Sequence, residues 1–346
     1  MFIYFFVLFL MLFISIFEKI VLNRKAIIIP ILLLVVLATF RDYTVGTDTV
    51  VYVSKFINNL DSNYYKFDKN IEYGYQVLEY VILSLNLNYF YLFFITSLFV
   101  VSLYLKTIKN LSVNYILSIF LYYTLGFYTF FFNGLRQGIA VAICFFALPY
   151  FIEKKLIKFL IAIFIASLFH ISALVFLLYY FFINYFSFKL EYKLLFIFFI
   201  SLFFSKFVIF YLADSNERYS SYSLESDYSG GYLILIFYIL LGLIFYFFGV
   251  ARISCHRYLK IREIYLCGIA LIIPVALIGT DPSGPQRLII YSACMSILLL
   301  PYIFTRFKNS IIKLLFLIFC IVYFYLITAM FGNLYPYKIN PLFEIF

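Results

Sequence analysis

Two arginines and one histidine stand where an apolar chain has no ordinary use for them. Arg136 follows Phe132-Asn133-Gly134-Leu135 and opens an apolar run. Arg287 follows Asp281-Pro282-Ser283-Gly284-Pro285-Gln286 and opens another. A cation in the first turn of a helix meets the positive end of the macrodipole, which is mildly unfavourable. The free amides of that turn together with a guanidinium fork nevertheless make a site for an anion, and phosphate suits a bidentate Arg. Snorkelling of each Arg to the headgroups is the competing explanation. Arg41 differs, because it closes its apolar run at the outer end, where dipole and snorkelling both favour a cation. His170 lies deep in apolar sequence. An ionisable residue inside a membrane is a functional candidate by default, and His titrates near neutral pH, although a hydrogen-bonded structural His fits the position too. Tyr291 follows Arg287 by one turn and can share its face.

Two carboxylates complete the set. Asp48, in Gly46-Thr47-Asp48-Thr49, has the setting of a helix N-cap for an amphipathic segment carrying Val50, Val51, Val53, Phe56 and Ile57. Asp281 before Pro282 has the same look, with Pro at the first helical position. Capping and catalysis compete for both. The five cysteines (Cys144, Cys255, Cys267, Cys294, Cys320) fall in apolar runs or a basic loop, and only Cys255 has a neighbouring His, His256. That argues against a disulfide framework and a zinc site. No carboxylate cluster of the kind a divalent metal needs appears, so metal-independent chemistry without a cofactor is expected.

The elements that must hold these residues are membrane helices. Apolar residues make up 66% of the 346-residue chain and charged ones 12%, and hydrocarbon must therefore be part of its solvent. The first 17 residues lack a basic leader and a small-residue cleavage site, which makes them a retained span rather than a signal peptide. Stretches of about 20 apolar residues place spans near 2–20, 26–40, 76–105, 112–132, 137–152, 156–169, 171–187, 193–212, 231–250, 263–279, 287–304 and 310–330. The expectation is an all-α, single polytopic domain over residues 1–346 with about 12 transmembrane helices. Its external loops are 41–75, 213–230 and 280–286.

Charge sets the orientation. With the N-terminus outside, 17 of the 26 basic residues fall in inside loops and 9 outside, while of the acidic residues only Glu18, Glu153, Glu191 and Glu263 fall inside. The net charge of +10 thereby follows the positive-inside rule, and nucleic acid is not an expected partner. Residues 156–186 test the scheme, being 31 almost unbroken apolar residues, or about 46 Å of helix. Treated as one pass, they would invert everything downstream. The charge rule instead asks for a break near Phe169-His170-Ile171-Ser172 and two short passes. Non-helical backbone at that depth survives only against protein or a wet cavity, which puts His170 at the floor of an outward-facing one.

The motifs resemble a known family. Phe40-Arg41-Asp42, then Val45-Gly46-Thr47-Asp48-Thr49, then Tyr52, is similar to the opening block of the EpsG family of Wzy-type polysaccharide polymerases. Asn133-Gly134-Leu135-Arg136-Gln137 with Ala140 resembles its central arginine block. Lys158-Phe159 running to Ala166, Phe169, His170, Ser172 and Ala173 resembles its Phe-His block. Arg287 with Tyr291, and Pro336-Tyr337-Lys338, match later blocks more loosely. The resemblance implies a GT-C-like glycosyltransferase architecture and a polymerase in the bacterial cytoplasmic membrane, active at its outer face in O-antigen or exopolysaccharide synthesis. Donor and acceptor would be undecaprenyl-pyrophosphate-linked oligosaccharide repeat units, with a flippase and a chain-length regulator as possible companions. Arg41, Arg136, Gln137, Arg287, Tyr291 and Asp281 would bind pyrophosphate and sugar, while His170, Asp48 and Arg136 would serve catalysis.

Other classes remain open on the residues alone. A flippase for lipid-linked oligosaccharide would need polar groups reaching both faces, whereas here they gather at one. A membrane acyltransferase using a cytosolic donor would turn its His inward. A purely structural role would leave the arginines replaceable. The charge count carries its own test. Cysteines introduced at position 2 and at Lys338 are expected to react with an impermeant label in intact cells, and reaction only after permeabilisation would invert the topology.

Overall fold

The computed structural model describes residues 1–25, 27–215, 231–252, 255–280, 284–306 and 309–343. Helices build most of it, and among the described residues the one isolated β-type pairing joins Arg41 to Ile339. In chain order the helices are α1 (Phe2–Val21), α2 (Ile28–Thr39), α3 (Thr49–Ile57), α4 (Tyr73–Ser84), α5 (Tyr89–Leu111), α6 (Tyr115–Thr124) and α7 (Phe127–Asn133). There follow α8 (Leu135–Phe146), α9 (Leu148–Ile152), α10 (Leu156–Ser167), α11 (Val175–Tyr185), α12 (Leu190–Ser215) and α13 (Tyr232–Arg252). The last are α14 (His256–Leu277), α15 (Ile290–Ala293), α16 (Ser296–Phe304) and α17 (Ser310–Leu326). Asp281 and most of the 213–230 loop lie outside the described residues.

Among the described residues five helices are long and apolar enough to cross a bilayer, or six if the bent pair Pro285–Ala293 and Ser296–Phe304 is one span. Shorter apolar helices make up the remainder, so the twelve expected passes are not twelve full-length helices. Local chemistry explains the breaks. The expected span 76–105 divides into α4 and α5 because Asn86 takes a left-handed φ of 54° and Asn88 caps α5, its side chain accepting from the Phe90 N–H at 3.0 Å. The pass at 287–304 bends by 43° between α15 and α16.

Burial separates centre from rim. Of the apolar window in Tyr115–Asn133, 78% is buried, against 6% in Leu190–Tyr211. A bare row of Phe196, Phe199, Phe203 and Phe207 on α12 has no place in water and matches lipid. At the centre, α6 to α8 pack Tyr122, Tyr123, Tyr128, Phe131 and Phe132 with almost no exposure. Buried tyrosines need partners, and Tyr123 donates to Tyr4 O (2.9 Å) while Tyr128 donates to Leu34 O (2.6 Å). One end of the bundle gathers the start of α1, residues 40–42 and the tail: Tyr4 donates to Leu334 O, Asp42 N–H to Lys338 O and Asn340 N–H to Phe40 O, each at 2.9 Å.

The long apolar stretch 156–186 does break where the charge rule asks. α10 ends at Ser167, His170 is extended, a 3-10 turn covers Ile171–Leu174, and α11 begins at Val175. The chain then doubles back, since Phe159 near the start of α10 stacks on Tyr180 in α11 at 4.3 Å, and Asn184 donates to Phe151 O at 3.1 Å. Twelve residues of α10 rise only about 18 Å, short of a hydrocarbon core of about 30 Å. The tip of this hairpin is covered by the segment leading into α4. Gly74 N–H donates to Leu168 O at 2.7 Å, and a Cβ on Gly74 would stand 2.6 Å from that oxygen. Only glycine lets the two backbones approach so closely. Gly74→Ala is expected to lower stability by roughly 1–3 kcal/mol, seen as a lower unfolding midpoint in detergent. An unchanged midpoint would refute this docking.

Candidate active site

The site begins where α7 gives way to α8. Asn133, last residue of α7, accepts the Thr47 N–H on Oδ1 at 2.9 Å and donates from Nδ2 to Gly332 O at 2.8 Å. Gly46 holds a φ of +109°, and a Cβ there would lie 2.5 Å from Asn133 Oδ1, so the turn requires glycine twice over. Thr49 Oγ1 donates to Val45 O at 2.8 Å and lies 3.2 Å from Phe132 O. The Gly-Thr-Asp-Thr turn is thus built directly onto the arginine block. α3 starts after Asp48, but the Asp48 side chain makes no capping bond. It turns to Arg287, with Oδ2 3.4 Å from Nη1. The default capping role therefore gives way to an ion pair. α3 is amphipathic otherwise than expected: Val53 and Phe56 are buried, whereas Val50, Val51 and Ile57 point outward.

Arg136 occupies the first turn of α8, as its sequence suggests, and is buried. Its partner is Glu72, from the segment leading into α4, with Nη1 donating to Oε2 at 2.8 Å. The other carboxylate oxygen of Glu72 lies 3.4 Å from the Ile171 N–H and 4.0 Å from His170 Nδ1. His170 Nδ1 also faces the Ser172 N–H at 3.3 Å and Ser172 Oγ at 2.7 Å. A nitrogen that accepts from an amide carries no proton, which assigns the neutral imidazole's hydrogen to Nε2. Ser172 Oγ reaches Tyr291 OH at 2.9 Å, closing a chain from Glu72 through His170 and Ser172 to Tyr291. Gln137 donates to Arg287 O at 3.3 Å and ties α8 to the other arginine. Arg287 itself stands on a 3-10 turn, Pro285–Ile289, rather than in the first turn of an α-helix. Tyr52 on α3 sits between these groups, with the Arg136 guanidinium 5.9 Å from its ring. Burial raises the pKa of its hydroxyl and Arg136 opposes the shift, so the phenol stays protonated at neutral pH.

Six of the residues expected to do chemistry therefore meet in one place: Asp48, Arg136, Gln137, His170, Arg287 and Tyr291. Arg41 does not join them. It is fully buried, its guanidinium between Phe93 (3.9 Å) and Phe132 (4.2 Å), with Nη1 donating to Ala38 O. From there it supports Phe132 and the tail rather than facing the cluster. Asp281 lies outside the described residues. Among the described residues no three His, Cys, Asp or Glu side chains group as a metal site would require. Glu72 is the site residue that the sequence hides, while Ser172 stood in the Phe-His block without a role of its own. Glu72 follows Lys66-Phe67-Asp68-Lys69-Asn70-Ile71, a charged stretch in which one more carboxylate draws no notice. The available signal was Gly74, two residues on, marking a close backbone approach.

The Glu72–Arg136 pair is 12% and 6% exposed at its side chains, and removing one member leaves a buried charge alone. Glu72→Gln is expected to cost roughly 3 kcal/mol or more of stability, and Glu72→Gln with Arg136→Gln less than Glu72→Gln alone. Thermal unfolding of the purified variants reads both, and a double variant worse than the single would deny the pairing.

No solved structure and no curated protein matches the chain. The EpsG family model matches residues 24–339, a span that takes in every residue of the cluster from Asp48 to Tyr291. With nearly the whole chain matched, this multi-pass membrane protein belongs to the EpsG family, whose members are Wzy-type polymerase-like.

Proposed function

We propose that this protein polymerises undecaprenyl-pyrophosphate-linked oligosaccharide repeat units at the outer face of a bacterial cytoplasmic membrane. In this reading it crosses the bilayer about twelve times, the short helices among them, with both termini and the cluster outside. The 17-to-9 division of basic residues supports that orientation. So does Lys25 reaching Lys109 O at 2.8 Å, which joins two positive-rich loops at the end opposite Arg41.

The observation that carries the proposal is the meeting of two guanidiniums with a Ser–His–Glu chain at the tip of a short hairpin. Glycosyl transfer from a polyprenyl pyrophosphate breaks the anomeric C–O bond and leaves a pyrophosphate bearing the bonding electrons. Arg287, only loosely held by Asp48, and Arg136 are suited to that developing charge. The acceptor hydroxyl forms the new C–O bond and must lose its proton. Ser172 Oγ takes it while passing its own to His170 Nδ1, and Glu72, 4.0 Å from that nitrogen, stabilises the imidazolium. Tyr291 holds Ser172 in place. The chemistry is metal-independent in this proposal, with the arginines providing the positive charge.

Two substitutions test it in polymerisation assays with purified lipid-linked repeat units. Arg136→Lys and Arg287→Lys are expected to insert normally yet lose polymer, because an ammonium cannot reproduce the bidentate fork. Near-normal polymer in both would deny the arginines a role at the pyrophosphate. His170→Asn is expected to bind donor and to slow by roughly 10²-fold or more. Retained turnover would make His170 structural, and lost donor binding would move it to the pyrophosphate site.

A further inference from the structure

Beside Arg287 the bundle contains a crevice of about 230 Å³, between the α6–α7 junction, α13, α14, the Pro285–Ile289 turn and the end of α17. Leu125, Leu235, Ile272, Ile290 and Ile327 form its walls, with Gln286 and Arg287 among its few polar groups. Arg287 supplies the one charge among the described lining residues. The crevice also reaches the lipid side. Ile234 on its α13 wall is 41% exposed, beside Leu233 at 80% and Ile236 at 51%. On the far wall α17 runs out into a π turn, Ile327–Phe331, a rare element that favours functional sites.

We infer that this crevice holds the first isoprene units of the lipid-linked substrate, entering from the lipid side past Ile234, beside the Phe237–Tyr323 stack (5.0 Å) that joins α13 to α17, with the pyrophosphate drawn to Arg287. The inference rests on the polymerase reading and names the part of the substrate that reading leaves unplaced. Charge complementarity and continuity select the occupant. A ligand filling the crevice must be apolar along its length and anionic at the one end that meets Arg287. That end must also reach Asp48, Gln137 and the hairpin tip, where transfer is proposed. A single hydrocarbon chain ending in pyrophosphate meets these demands.

The test uses the full-length protein in nanodiscs and a polyprenyl pyrophosphate carrying a diazirine in its first isoprene units. Photolabel is expected on peptides containing Ile234–Tyr238 or Tyr323–Ile327. It should be competed by unlabelled polyprenyl pyrophosphate and not by phosphatidylglycerol. Ile234→Trp, at a position open enough to accept the ring, should lower the labelling of Tyr323–Ile327 about fivefold or more. Phe203→Trp on the lipid-facing α12 should leave it unchanged. Label displaced equally by phosphatidylglycerol would mean an ordinary membrane lipid and overturn the inference. So would label spread over α12. The assay reads binding without turnover. Crevice labelling by a protein that makes no polymer would therefore reject the polymerase reading and keep the crevice, while an active polymerase without it would lose the crevice alone.

Discussion

A carboxylate from the segment before α4 and a guanidinium from the buried start of α8 approach to 2.8 Å, and much of the site hangs on their meeting. Glu72 brings with it the segment that covers the hairpin tip, and Gly74 seats that segment against Leu168. Arg136 brings the centre of the bundle, since α8 is buried along nearly its whole length. Bringing two charges out of water is costly, and attraction alone seldom repays it. What the pair supplies is position. It fixes a loop against a helix from the core, and His170 comes to rest beside the second oxygen of that carboxylate, 4.0 Å from Oε1.

The second support is made of backbone. Asn133 bonds to Thr47 on one side and Gly332 on the other, while Gly46 donates to Asn333 O at 2.9 Å. The opening motif, the arginine motif and the tail thereby share one small set of hydrogen bonds. Arg41 belongs to this framework. Its stacking between Phe93 and Phe132 fixes the ring beside Asn133, which explains a buried cation far better than a role at the ligand.

Much of this was legible before the structure. Apolar run lengths and basic residues gave the helices and the break at His170, because hydrocarbon imposes the same demands on every segment. Arg136, Arg287 and His170 stood out because charge at membrane depth is costly and needs a reason. Glu72 did not, since a carboxylate in a polar loop costs nothing until tertiary structure buries it. Asp48 misled for a related cause. Its local pattern matches a cap, but Arg287, 239 residues away, competes for the same oxygen. Run length also fixes how much of the chain is apolar without fixing how many residues stay helical, so the bend between α15 and α16 came only with the structure.

The two ion pairs of the cluster have unequal surroundings. Arg136 and Glu72 are nearly closed off from solvent, whereas Arg287 and Asp48 are 31% and 37% exposed and stand 3.4 Å apart. Two carboxylates and two guanidiniums cancel, so the resting cluster has little net field to attract a polyanion from a distance. An arriving anion must compete with a carboxylate already in place. The exposed pair is much the cheaper to open. Exchange at Arg287 would release Asp48 and turn a neutral site into one with a carboxylate to spare, at the moment an acceptor hydroxyl needs somewhere to hydrogen-bond. In the polymerase reading, occupancy and the orienting of the second substrate would then be coupled through a single side chain, Asp48.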